Sequence, residues 1–413
     1  MPHDYDILII GAGPAGCAAA YDLARAGRRV LLIDKRTFPR PKACACGLTR
    51  KTLAALRYSV APIIERQCHE IVLQQTSPDP KQREVRIRNR TPIAAMAVRE
   101  RFDNFCLQQT LAAGAELKKI ETILALRQHE THIELDIQTA TGPETLTAPI
   151  LIGADGSNGQ TRRMAPPRDS HGEALSPSAQ DGFALEATIP YTSLPTILPA
   201  GDNPTDLIFD FAPLPGGYGW LFPKTDHINI GVGAFAPTPN PGGPSSATVS
   251  SSPKVGSQEA RLKRVTRDLL AAYTLHKLGV DLTHLPNTVT GQHLGMGGHL
   301  YVPQGRILLT GDAAGLVDPL TGEGIHSAIT SAQAAAAAIL SHPGSPAQAY
   351  AKKLKPLQET LAFSHRAAQA FYTDPARGFR VMRTPILRSL VLKTYADGLP
   401  HTKLLTRLAK LVA

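Results

Sequence analysis

The stretch from Tyr5 to Asp34, YDILIIGAGPAGCAAAYDLARAGRRVLLID, constrains this chain more than any other. Ile7 to Ile10 form an apolar run without polar alternation, which suits a strand buried on both faces of a parallel sheet. Gly11, Gly13 and Gly16 follow. In a dinucleotide-binding βαβ unit the first glycine makes the tight turn, the second admits a pyrophosphate to the backbone, and the third lets helix pack on strand. Pro14 and Ala15 open the helix, where the N–H that proline lacks is not needed, and Gly27 is a fitting stop. Val30 to Ile33 give a second strand ending at Asp34, whose carboxylate suits the hydroxyls of an adenosine ribose. An ordinary βα turn leaves Asp34 without a task.

With 413 residues and 43% hydrophobic content, the chain is long enough for two domains. Its net charge of +10 favours anionic partners. Aromatic residues make up 5%, and no basic run is interleaved with stacking rings, so nucleic acid is the least favoured partner. Five cysteines, odd in number and sparse, together with no cleavable signal ahead of the first strand, point to the cytoplasm. No apolar run reaches the roughly 20 residues of a membrane span. The tail from His401 sets Leu404, Leu405, Leu408 and Leu411 opposite Lys403, Arg407 and Lys410. That pattern suits a helix on the inner membrane surface, and equally one docked on its own domain.

Lys35, Arg40, Cys44, Cys46 and Gly47 lie on a proline-punctuated loop leaving the second strand, where such sheets bind ligands. A lone C-x-C is a poor metal signal, and no metal is expected. Residues 68–97 suggest an inserted hairpin, and Arg99 opens a helix that runs to Gly114. Ile120 to Leu126 and His132 to Ile137 are strand-like, and Ile150 to Ile152 precede Gly153-Ala-Asp155-Gly156. From about Gln180 to Phe235 the pattern turns to antiparallel strands, with Tyr218, Trp220 and Phe222 facing one way. Such a stripe is core or the wall of an apolar ligand cavity. Residues 236–256 read as a flexible loop and Ser257 to Lys277 as a helix. Ile307 to Leu309 then deliver Gly311 and Asp312, and Gly322 and Gly324 lead into a helix near Ile325 whose N-terminus suits an anion.

Together GAGPAG with Asp34, GADG at 153–156, and GDAAG with LTGEGI at 311–325 resemble the FAD-binding signature of the flavoprotein superfamily that includes p-hydroxybenzoate hydroxylase. Lys42-Ala-Cys44-Ala-Cys46-Gly47-Leu-Thr, Arg99-x-x-Phe102-Asp103 and Tyr218-x-Trp220-x-Phe222-Pro223-Lys224 are similar to motifs of its geranylgeranyl reductases. Ala45 departs from the glycine usual after the family cysteine, so Cys44 and Cys46 both stand as candidates for a catalytic thiol. The resemblance implies an α/β fold: a Rossmann-like FAD-binding domain (1–67, 98–165, 290–340), an inserted antiparallel-sheet substrate domain (68–97, 166–289) and a C-terminal helical region (341–413). It implies cofactor contacts from Gly11, Gly13, Pro14, Ala15, Gly16, Asp34, Lys35, Arg40, Cys44, Gly47, Arg99, Leu124, Asp155, Gly156, Gly311, Asp312, Gly322, Gly324 and Ile325. Substrate contacts fall to Tyr218, Trp220, Phe222 and Pro223. The implied reaction is FAD-dependent saturation of carbon–carbon double bonds in a polyprenyl chain on a lipid, quinone or chlorophyll precursor. NADPH and ferredoxin are both open as reductant. An aromatic monooxygenase or halogenase, and a non-catalytic FAD-binding partner at a membrane, are the alternatives.

Overall fold

The computed structural model describes residues 3–75, 79, 81, 83–175, 182–235, 265–285 and 289–398. The loop expected at 236–256, the start of the helix expected from Ser257 and the basic tail from His401 lie outside the described residues.

Five strands make a parallel sheet in the order Ile307–Leu309, Ile150–Gly153, Ile7–Ile10, Val30–Asp34 and Glu116–Lys119. Side-chain alternation along these strands feeds two cores. Ile7, Ile9, Val30, Leu32, Ile150 and Ile152 pack with the helices Pro14–Arg25, Arg99–Ala112 and Ile325–Ser341. Leu8, Ile10, Leu31, Ile33 and Leu151 pack instead with Ile133, Leu135 and Ile137 of a three-stranded antiparallel sheet, Thr122–Gln128, Ile133–Thr139 and Gly142–Ala148. Both faces are thus covered, which is why these strands read as unbroken apolar runs. Helices Pro14–Arg25 and Ile325–Ser341 meet through alanines (Ala15, Ala18, Ala19; Ala328, Ala332, Ala335), small enough to let the helices approach closely.

A seven-stranded sheet stands beside this unit, in the order Val289–Leu294, Gly182–Pro190, His227–Ala234, Gly217–Pro223, Leu207–Asp210, Glu70–Gln74 and Glu84–Arg88. The last two strands form the inserted hairpin. One face packs on helix Arg267–Leu278 through Leu270, Tyr273 and Leu278. The other carries Tyr218, Trp220, Phe222 and Phe209, backed by Tyr372, Ala368 and Ala396 of the C-terminal helices Pro346–Thr373 and Pro385–Asp397. A small sheet of Gly47–Thr49, Ala94–Ala97 and Ile64–Cys68 joins the two units.

Two expectations shift. The strand Val289–Leu294 pairs with Gly182–Pro190, so the chain is still in the large sheet beyond residue 290 and regains the parallel sheet at Ile307. The described helix begins at Arg267, where the Thr266 hydroxyl accepts the Leu269 N–H at 3.1 Å, and it ends at Gly279 with φ +67°. Among the described residues no helix is long and apolar enough to cross a membrane.

Candidate active site

One cleft of about 660 Å³ runs from the carboxyl ends of the parallel strands to the aromatic face of the large sheet. That volume lies in the range of small-molecule and cofactor sites. Its polar end is set by the glycine turn. Gly11 has φ +101°, and a Cβ there would lie 2.4 Å from the Ala154 carbonyl oxygen. A Cβ on Gly16 would lie 1.8 Å from the Gly11 oxygen. At Gly13 the nearest atom is an Arg40 nitrogen at 3.6 Å, so this glycine faces open cleft. Asp34 is fixed to the same turn: its carboxylate accepts the N–H groups of Ala12 and Arg36, both at 2.8 Å.

Two further chain returns complete this end. Asp155 accepts the Thr161 N–H at 2.9 Å, and its Oδ1 is buried with no hydrogen-bond partner among the described residues. Burial raises its pKa. Gly156, at φ +85°, has nothing nearer to a Cβ position than Lys42 Nζ at 4.0 Å. Asp312 lines the cleft, as do Gly322, Gly324 and Ile325 at the amino end of helix Ile325–Ser341. That helix end and the start of Pro14–Arg25 offer unpaired N–H groups and the positive ends of two helix dipoles. Lys35, Arg36, Arg40, Lys42 and Arg163 supply cationic side chains around them.

The cysteine loop forms the middle of the cleft. Arg99 is buried at the start of its helix, where its Nε donates to Asp103 at 2.6 Å; Arg40 pairs with the other Asp103 oxygen at 3.2 Å. The Cys46 backbone turns at φ +49°, in the left-handed region, and its N–H points at Cys44 Sγ at 3.3 Å. Donation from Cys46, aided by the Arg99 charge, holds the Cys44 thiol well below its usual range, while that same hydrogen bond and burial push Cys46 up. Both cysteines line the cleft, although Cys46 is only 2% exposed.

Tyr218, Trp220 and Phe222 line the apolar end, and the structure adds Phe209, Phe235 and Tyr395. Gly47 of the cysteine loop touches this wall, since a Cβ on it would lie 3.0 Å from the Phe222 ring. Buried Lys224 donates to the Ala45 carbonyl at 2.6 Å and ties the strand to that loop. Glu186, which sequence reasoning missed, also lines the cleft and accepts the Cys44 N–H at 2.8 Å. Its signal was a lone acid inside the largely apolar run Phe183-Ala-Leu-Glu-Ala-Thr-Ile.

Four expected contacts fall outside the lining. Leu124 is 50% exposed, because strand alternation turns Ile123 inward and Leu124 to solvent. Pro223 lies on the opposite sheet face from Phe222. Gly16 sits beneath the turn, and Gly311 donates its N–H to Ser331 at 3.0 Å behind the lining.

A family described as an FAD binding domain matches residues 4–183. A Methanosarcina barkeri protein described as uncharacterized is 30% identical over 342 residues, 82% of this chain and 75% of that one. A menaquinone reductase of Mycolicibacterium smegmatis is 29% identical over 80% of this chain and 75% of its own. For a geranylgeranyl diphosphate reductase of Rhodobacter capsulatus the figures are 28%, 92% and 83%. The chain belongs to the geranylgeranyl reductase family of FAD-dependent oxidoreductases. A solved structure of a geranylgeranyl bacteriochlorophyll reductase-like protein from Thermoplasma acidophilum has the same fold, with a TM-score of 0.73 at 20% identity over 98% of this chain and 99% of that one. A flavin-dependent brominase, Bmp2, shares it at a TM-score of 0.68 and 16% identity over 95% of this chain and 93% of its own. These likenesses establish the fold.

The cofactor of this family member is FAD, and the residues present fit it. The open Gly13 and Gly156 positions, the two helix amino ends, the basic side chains and the unpartnered Asp155 oxygen form a cradle for a dinucleotide.

Proposed function

We propose that the protein saturates carbon–carbon double bonds of a polyprenyl chain carried on a lipid, quinone or diphosphate. The observation that carries this reading is the aromatic face of Tyr218, Trp220, Phe222, Phe209 and Phe235, which continues the cofactor cleft as an apolar wall. Such a wall excludes water and holds a long hydrocarbon without polar anchors. Relatives named menaquinone reductase, geranylgeranyl diphosphate reductase and digeranylgeranylglycerophospholipid reductase support the substrate class. Reduced flavin, when bound, supplies hydride. The protein's part is to orient the chain, exclude water and provide a proton.

The monooxygenase and halogenase readings share the fold. A halogenase needs a lysine beside its substrate; here Lys224 is buried, donates to a backbone carbonyl and stays outside the lining of the aromatic wall. Anaerobically reduced protein mixed with a geranylgeranyl lipid is expected to give products heavier by two hydrogens per step. Oxygen-dependent hydroxylation of a phenol, with no lipid saturation, would replace this reading with the monooxygenase one.

A further inference from the structure

Register across the large sheet places Trp220 opposite Gly231, Gly231 opposite Glu186, and Glu186 opposite Thr290. Directly opposed residues share a face, so Glu186 stands in the same row as the indole. Gly231 leaves the space between them: a Cβ on it would lie 2.1 Å from the Trp220 ring. The Trp220 Nε1–H donates to Asn229 Oδ1 at 2.8 Å, which leaves the Asn229 amide N–H2 to donate to Glu186. The second donor is the Cys44 N–H at 2.8 Å. Glu186 is 8% exposed, and among the described residues it is the one carboxyl that the large sheet contributes to the cleft.

The other cleft carboxyls lie outside this row: Asp34, Asp155 and Asp312 at the glycine-turn end, and Glu323 in an ion pair. Asp34 takes two backbone N–H groups, and Asp155 takes one at a helix start. Glu323 pairs with Lys51 at 2.6 Å and accepts the hydroxyls of Thr49 and Thr52. Glu186 has no ion pair among the described residues. Burial, then the neighbouring Cys44 thiolate, push its pKa up to about 7 against the pull of Asn229, the Cys44 N–H and the Lys224 ammonium. Cys44 faces the Cys46 thiol and Arg99, both of which favour its thiolate form. The two shifts run in opposite directions, and both favour the proton on Glu186 over Cys44.

We propose that Glu186, rather than the Cys44 thiol, is the acid that protonates the alkene. This rests on the polyprenyl reading above. With reduced FAD bound, the cofactor would supply a hydride to one alkene carbon and Glu186 the proton to the other, the π bond breaking as the two C–H bonds form. Glu186 would be left as carboxylate, with FAD oxidised, and would take a new proton from water after product leaves.

The test uses the FAD-loaded protein. Infrared titration of the wild type should show a buried carboxylic acid band lost with a midpoint near pH 7 and missing in Glu186→Gln. With anaerobically reduced protein and geranylgeranyl diphosphate, the single-turnover rate of the wild type should fall as pH rises through that midpoint. Glu186→Gln should bind FAD normally, react at least about 100-fold more slowly and lose this fall, and Glu186→Asp should recover part of it. In Cys44→Ser the fall should persist at lower pH, since the thiolate that raises Glu186 is gone. Wild-type rate and pH profile in Glu186→Gln would overturn the role alone, as would a wild-type carboxyl fully ionised by pH 5, a measurement independent of whether the variant folds. Inertness of wild type and variants towards polyprenyl chains would overturn the substrate reading and the role with it.

Discussion

The two ends of the cleft are built by different means. At the cofactor end, contacts come from backbone turns and helix ends whose geometry is written into consecutive residues, as in Gly11 to Gly16. At the aromatic end, the lining comes from side chains that meet through strand register, such as Trp220 and Glu186 with Gly231 between them, far apart in the chain. A steric change in the turn should therefore abolish cofactor binding, whereas a change in the sheet should alter turnover or stability while FAD still binds.

Gly16→Val tests the first half with the largest expected effect. Its Cβ would lie 1.8 Å from the Gly11 oxygen, a backbone atom that cannot swing aside. FAD affinity should fall at least about 10³-fold, close to 4 kcal/mol at 1.4 kcal/mol per tenfold. Fluorescence titration of apoprotein with FAD measures it, and near-normal affinity would show that the turn tolerates relaxation.

On the sheet side, Lys277 of helix Arg267–Leu278 donates to Asp202 at 2.9 Å and Gln74 at 2.6 Å, and lies 3.1 Å from Asp210. Lys277 and both acids are 7% exposed in their side chains. Lys277→Met leaves two buried carboxylates without a cation, and breaking such a pair costs about 3–5 kcal/mol. Denaturant unfolding should show that loss with FAD affinity unchanged. A loss under about 1 kcal/mol would mean that water reaches the acids.

How much of this was legible in the sequence follows the same division. The glycine turn, Asp34, Asp155 and Gly322 to Ile325 could be read because each depends on its neighbours along the chain. Leu124 falls outside the cleft lining while Ile123 is part of it, since in a strand one position is the difference between inside and outside. Glu186 could not be assigned because its environment is supplied by Cys44, Asn229 and Lys224, residues that only the folded sheet brings to it. The strand Val289–Leu294 was read into the wrong unit because its edge pairing is likewise non-local.

Gly231→Ala probes that register with a smaller change. The added methyl meets the indole at 2.1 Å, so the ring must shift along the cleft wall. Overpacking of this kind costs about 1–3 kcal/mol. The expected outcome is roughly a five- to 100-fold loss in polyprenyl turnover, with FAD binding within twofold of wild type. Loss of FAD binding instead would mean that the two ends of the cleft are not separable.

The smallest effect is expected where the two ends meet, at Cys46. Its left-handed backbone suits glycine, and Cys46→Gly removes strain of about 1–2 kcal/mol. It also removes a buried thiol, whose lost burial offsets much of that gain, so stability should change by less than about 1 kcal/mol. The backbone N–H at position 46 remains to donate to Cys44 Sγ, but the S–H donor is gone. The Cys44 thiol should then titrate at higher pH, seen as thiolate absorbance appearing later in a titration carried upward from acid pH. Because the thiolate charge raises Glu186, the carboxyl band of Glu186 should move to lower pH over the range in which Cys44 has regained its proton. Opposite movement of the two groups in one variant would show that the cysteine loop and the aromatic sheet share one electrostatic network; movement of Cys44 alone would separate them.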